Sequence, residues 1–242
     1  MIRIGFLSAV FSALVTLGIG AQENRVYVAY HQISFGDLQE WIGLYYEHSV
    51  PVLDGLVEEG VITGYGAHMH STGGEYNIRQ SFRGPSDTDY QDFWAKYLSR
   101  LAARDAAANE RGTRMITAHR DEIWNIDEAN VPDGANAKYL YDAQFQVNFA
   151  DLEAWSRMWD ETFGPALQQA VADGLLLGWV EESHNTGGRF TWKIISMVED
   201  WDTIDELTAA VFEAAPLDHP IWSMFSAHMD EVWETLPPPA AN

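Results

Sequence analysis

His68 and His70 stand two residues apart in His68-Met69-His70-Ser71-Thr72-Gly73-Gly74, with Gly64 and Gly66 just upstream. On a strand, positions two apart project from the same face, so both imidazoles share one side of a sheet with the space the glycines leave. The motif returns 114 positions later (68 to 182) as Glu182-Ser183-His184-Asn185-Thr186-Gly187-Gly188. His68, His70, Glu182 and His184 are imidazole and carboxylate donors of the kind that hold a divalent metal such as zinc or iron. His70 and His184 also suit proton transfer. The alternative for this spacing is plain: residues at a strand end, solvated or hydrogen-bonded to the adjoining turn.

A second echo pairs His119-Arg120-Asp121-Glu122-Ile123-Trp124 with His228-Met229-Asp230-Glu231-Val232-Trp233. His119 and His228 are candidate acid–base groups; capping backbone carbonyls at a helix-to-strand junction is the competing use. The acids alternate, so one of the pairs Asp121/Asp230 and Glu122/Glu231 faces an interior and the other solvent. A buried carboxylate needs a cation, and Arg79 and Lys193, at matching positions of the two copies, are candidates for that or for holding an anionic ligand.

These groups must be positioned by a duplicated framework. Phe35-x-Asp37-Leu38-x-x-Trp41 recurs as Phe149-x-Asp151-Leu152-x-x-Trp155, Pro51 as Pro165 and Gly60 as Gly174, all at the same offset of 114 (35 to 149). Each half reads strand, helix, strand, strand, helix, strand. In the second half Tyr141, Ala143, Phe145 and Val147 alternate with Asp142, Gln144 and Gln146, the period-2 mark of a sheet with one apolar and one polar face. Tyr30 and Gln32 are the first-half counterparts of two of those polar positions. Leu38, Trp41, Ile42 and Tyr45 follow at helical spacing, and Pro51 and Pro165 are expected to kink or restart their helices. Second helices are predicted from Thr88 to about Ala108 and from Thr203 to Ala214.

A β-α-β-β-α-β unit is the ferredoxin-like split motif, a four-stranded antiparallel sheet with both helices on one face. The fold class is therefore α+β, with two tandem repeats whose bare sheet faces close on each other as a barrel. This order and its duplication over residues 25–236 resemble the dimeric α+β-barrel superfamily. That group includes antibiotic-biosynthesis-type monooxygenases, stress-responsive barrel proteins, NIPSNAP-like proteins and chlorite-dismutase-like haem proteins. The resemblance implies a ligand held in the lumen between the two units, fringed by Tyr30, Gln32, Gln144 and Gln146. It also raises haem or a divalent metal as cofactor, or none. No catalytic signature of the group, an axial haem histidine included, is matched residue by residue.

Residues 1–21 have the form of an export leader: Arg3, an apolar run from Ile4 to Leu17, then small residues to Ala21. The expected divisions are that leader, a first repeat over 22–130, a linker over 131–138, a second repeat over 139–236 and a proline-rich tail over 237–242. A periplasmic or secreted protein follows, free of the membrane after cleavage. There is no cysteine, so neither a disulfide nor a thiolate is available. A formal charge of −22 spread through both halves disfavours nucleic acid and anionic membrane as partners. No nucleotide-binding glycine loop and no serine-hydrolase elbow occurs. A small organic ligand is the expected partner, with oxygenase-type activity, a metal- or haem-dependent oxidoreductase or a protein-interaction module as the open readings. The chain is expected to be a monomer (a pseudo-dimer) or a homodimer.

Overall fold

The computed structural model describes residues 24–132 and 135–237. The expected leader, two linker residues and most of the tail lie outside the described residues. Each half supplies four strands. The first contributes β1 (Asn24–Ile33), β2 (Gly64–Thr72), β3 (Ile78–Pro85) and β4 (Ile116–Asn130); the second β5 (Tyr139–Val147), β6 (Gly178–Thr186), β7 (Trp192–Val198) and β8 (Phe225–Thr235). They close into a barrel of order β1-β3-β2-β8-β5-β7-β6-β4, every neighbour antiparallel. Each half keeps the ferredoxin-like order, β4-β1-β3-β2 and β8-β5-β7-β6. The halves join edge to edge at two seams, β2 with β8 and β4 with β6. Closure pairs the sheet edges that an eight-stranded open sheet would have to protect.

The helices lie outside. Between β1 and β2 run α1 (Leu38–Leu44) and α2 (Val50–Glu58), joined by a π-helical turn at Tyr45–Ser49. Pro51 explains the turn. It has no N–H for the Glu47 carbonyl, and the ladder widens so that Val50 N–H bonds Tyr45 O five residues back. Pro165 acts more simply, starting α5 (Gly164–Ala172) after α4 (Leu152–Thr162) ends at Phe163. The helix α3 (Tyr90–Arg114) runs further than its sequence pattern predicts. It is broken at Asp105 (φ −159, ψ 98), whose carboxylate accepts Ala108 N at 2.9 Å and so caps the second segment. Its counterpart α6 (Asp202–Ala214) is short and unbroken. Among the described residues no helix is long and apolar enough to cross a membrane.

Strand alternation sorts side chains into three cores. Ala29, Ile33, Ile78 and Phe82 face α1 to α3, while Ala143, Phe145, Trp192 and Ile194 face α4 to α6. The opposite residues, among them Val26, Val28, Tyr30, Trp124, Leu140, Ile195 and Trp233, fill the barrel. Trp155 and Trp192 meet edge to face at 5.5 Å in the second outer core and are fully buried; truncating either to Ala costs on the order of 3–5 kcal/mol.

Candidate functional site

The expected hollow between the two sheets is instead a packed, charged interior. Arg79, Asp142, Gln144, Glu122, Glu182, Lys193 and Glu231 are all buried there beside Trp124 and Trp233. They answer one another: Lys193 Nζ lies 2.8 Å from Glu182 Oε2 and 4.3 Å over the Trp124 ring. Arg120 Nε lies 3.0 Å from Glu122, Arg79 lies 3.9 Å from Asp142, and Gln144 Nε2 donates to Glu231 at 3.0 Å. Tyr30 is wedged between Tyr76, Trp233 and the Arg120 guanidinium. Arg79, Gln144 and Lys193 therefore meet charged or polar side chains within the barrel, while Tyr30 Oη, Arg79 Nε and Nη1, Gln144 Oε1 and both Asp142 oxygens are buried without a hydrogen-bond partner. Gln32 and Gln146 continue the same rows half-buried, with Gln32 Oε1 enclosed and unpartnered. Of the two acid pairs, Glu122 and Glu231 face inward.

His68, His70, Glu182 and His184 are not brought together as ligands to one metal. The β2 and β6 strands belong to different seams. His70 Nε2 bonds the Gly73 carbonyl and His184 Nε2 the Gly187 carbonyl at 2.6 Å, so each imidazole closes its own turn. Glu182 is taken by Lys193. His68 lies opposite Arg79 in the ladder, and burial, then Arg79 and Arg83, hold its pKa well below the usual range. The same cations would repel a metal. His119 and His228 lie outside the barrel beside Asp121 (3.6 Å) and Asp230 (3.0 Å).

The side chains that do converge on open space sit between the first sheet and its helices. A cavity of about 130 Å³ is lined by His31, Gln80, Trp41, Tyr45, His48, Trp94 and Tyr97, with Leu101 and Ile116 among its apolar walls. His31 Nε2 pairs with Gln80 Oε1 at 3.0 Å. His31 Nδ1, His48 Nδ1 and Trp94 Nε1 are buried atoms without a partner. Buried polar groups are nearly always paired, so these three atoms call for a partner, and unlike the unpartnered atoms of the barrel interior they border open space. Burial lowers the His31 pKa, partly offset by the Gln80 hydrogen bond and by Asp121, so the ring is a neutral base near pH 7. Burial likewise raises Tyr45 well above its ordinary value and pushes Tyr97 up to about 12, keeping both hydroxyls protonated. The π-turn places Tyr45, His48 and Ser49 on the cavity, and the segment after the Asp105 break brings Asn109, Gly112 and Thr113 over it. The π-turn and the break in α3 thus serve one wall, as π-turns at functional sites do.

The equivalent cavity of the second half, also about 130 Å³, is a greasier version. Phe145 stands where the first half has His31, and Ile194 where it has Gln80. At its rim Tyr141 donates to Asp230 at 2.8 Å, and His228 lies 3.0 Å from the same carboxylate with its ring 4.7 Å from Phe145. The sequence reading missed His31, Gln80, His48 and Trp94 as site residues. The signal was present in the aligned repeats: two polar residues on an otherwise apolar face, at positions where the copy carries Phe and Ile.

No protein-family model and no curated protein matches the chain. Solved structures do. A candidate monooxygenase from Lactobacillus acidophilus NCFM aligns with TM-score 0.57 at 10% identity, over 87% of this chain and 93% of that one. An anthrone oxidase-like protein gives 0.52 at 11%, over 89% and 92%. A heme-binding protein from Thermus thermophilus gives 0.53 at 10%, over 90% and 93%. At such identities the likeness is one of fold. The chain has the dimeric α+β-barrel fold, with both ferredoxin-like units on a single polypeptide.

Proposed function

We propose that the first-half cavity binds a small aromatic molecule bearing hydrogen-bonding groups, and that His31 moves a proton on it. The observation that carries this reading is the set of unpartnered atoms, His31 Nδ1, His48 Nδ1 and Trp94 Nε1, around a cavity walled by Trp41, Tyr45 and Tyr97. Its volume matches one ring: an apolar cavity of roughly 150 Å³ takes benzene. A phenolic hydroxyl or carbonyl would meet the unpartnered nitrogens while the ring stacks on the aromatics.

Oxygenase-type chemistry follows naturally from a neutral buried base. Deprotonation of an activated ring carbon or phenol gives an electron-rich anion that dioxygen attacks. At a ring methylene the O–O bond then breaks, one oxygen staying as a carbonyl and the other leaving as water with the two methylene hydrogens. No external reductant is consumed. The likeness to candidate monooxygenases and an anthrone oxidase-like protein supports this direction. Haem fits poorly. The cavity holds one ring, a tetrapyrrole has four, and one nitrogen of His31 is already bonded to Gln80.

The test is to titrate the protein with single-ring phenols and ring methylene ketones while following tryptophan fluorescence and oxygen uptake. Saturable quenching with oxygen consumption supports the reading. Unchanged fluorescence across such a series would sink it. Export remains part of the proposal on the strength of residues 1–21, and the mature N-terminus of secreted protein, read by mass spectrometry, decides it.

A further inference from the structure

At the seam where β4 meets β6, Glu128 lies directly opposite Glu181 at a register shift following Ile126. Asp160 of α4 joins them, and one carboxylate oxygen of each lies within 4.8 Å of the others; Glu128 and Asp160 are exposed and Glu181 alone is buried. Glu181 is only 3% exposed, with Oε1 accepting Trp192 Nε1 at 2.9 Å. Among the described residues no Lys or Arg forms an ion pair with any of the three. Like charges facing each other across a ladder repel, and a buried carboxylate without a counter-charge is costly.

A second feature points to a ligand. The three acids share a cavity of about 120 Å³ with Trp159 and Trp179, which are 4% and 2% exposed. Both indole N–H groups are buried and unpartnered. Carboxylates call for a cation, while N–H donors call for an acceptor. A hydrated cation answers both, its charge toward the carboxylates and its water oxygens toward the indoles.

We propose that Glu128, Asp160 and Glu181 form a site for a hard divalent cation, of the calcium, magnesium or manganese class. An all-oxygen donor set without His or Cys selects such ions over zinc or copper. Glu128 comes from the first repeat and the other two from the second, so the ion clamps the β4–β6 seam. The site is separate from the first-half cavity and independent of what that cavity binds.

The experiment uses the whole chain, stripped with chelator and held at constant ionic strength and pH 7.5. Calcium, magnesium and manganese chlorides are titrated separately by calorimetry and by thermal unfolding. A saturable one-to-one isotherm and a rising midpoint are expected with at least one ion. Affinity should fall at least tenfold in both Glu181→Gln and Asp160→Asn. Those amides relieve repulsion, so both variants are expected to fold without metal. Midpoints that no ion moves, or that move equally in wild type and variants, would overturn the site. The second result would mark general screening of a −22 chain.

Discussion

His70 stands edge-on to Trp233 across the seam, their ring centroids 5.7 Å apart, and His184 meets Trp124 in the same way at 5.9 Å. The two repeated motifs are therefore partners in space. Each histidine–glycine turn seats against the Asp-Glu-x-Trp strand of the opposite half. Gly74 (φ 52) and Gly188 (φ 65) approach so closely that a Cβ on either would collide with the carboxylate of Glu231 or Glu122. Gly74→Ala and Gly188→Ala should each destabilise by about 2–3 kcal/mol, from positive φ and displaced buried acid together. Gly43→Ala, in α1 with open space around it, should be neutral or slightly stabilising. Urea midpoints compare the three; equal effects would remove the seam from the account.

The interior ion pairs invite a different test. Lys193 and Glu182 are both buried, so Lys193→Met strands a carboxylate and should cost on the order of 3–5 kcal/mol. Adding Glu182→Gln should restore most of that loss, because an amide carries no charge to desolvate. If the double variant is as unstable as the single, the lysine acts through packing on Trp124 and not through charge.

Acid should weaken the fold through its buried imidazoles. Burial holds the folded pKa of His68 and of His31 below the ordinary 6.5, so the unfolded chain binds more protons in that window. Stability is then fully present above about 6.5 and is lost as pH falls through the folded values. Glu231 works the other way: burial first, then Asp142, raises it to about 7, so its contribution declines as pH climbs from 4.5. Denaturation midpoints taken between pH 5 and 8 should show a shallower acid limb in His68→Gln than in wild type. Parallel profiles would contradict this assignment.

The fold was largely legible because duplication doubles every periodic signal. The alternation of Tyr141 to Val147 with its polar partners marked a two-faced sheet, and Pro51 and Pro165 marked the helix restarts. Which side of that sheet keeps open space was not legible. Alternation says that Tyr30 and Ala29 face opposite ways, but not that helices would leave space over Ala29 while side chains filled the space around Tyr30. Equally hidden was the role of His70 and His184. A turn-closing imidazole and a metal ligand share the same spacing, and only the Gly73 and Gly187 carbonyls distinguish them. His31 was hidden by its apolar neighbours, although Phe145 in the copy marked it as an exception.

That contrast between repeats supplies the most direct test of the ligand cavity. His31→Phe and Gln80→Ile write the second-half residues into the first half, at positions where the copy shows that the sheet accepts them. Isothermal titration of a single-ring phenol into wild type and the double variant should give a fall in affinity of at least tenfold at nearly unchanged thermal stability. Undiminished binding in a folded double variant would place the ligand elsewhere and contradict the account.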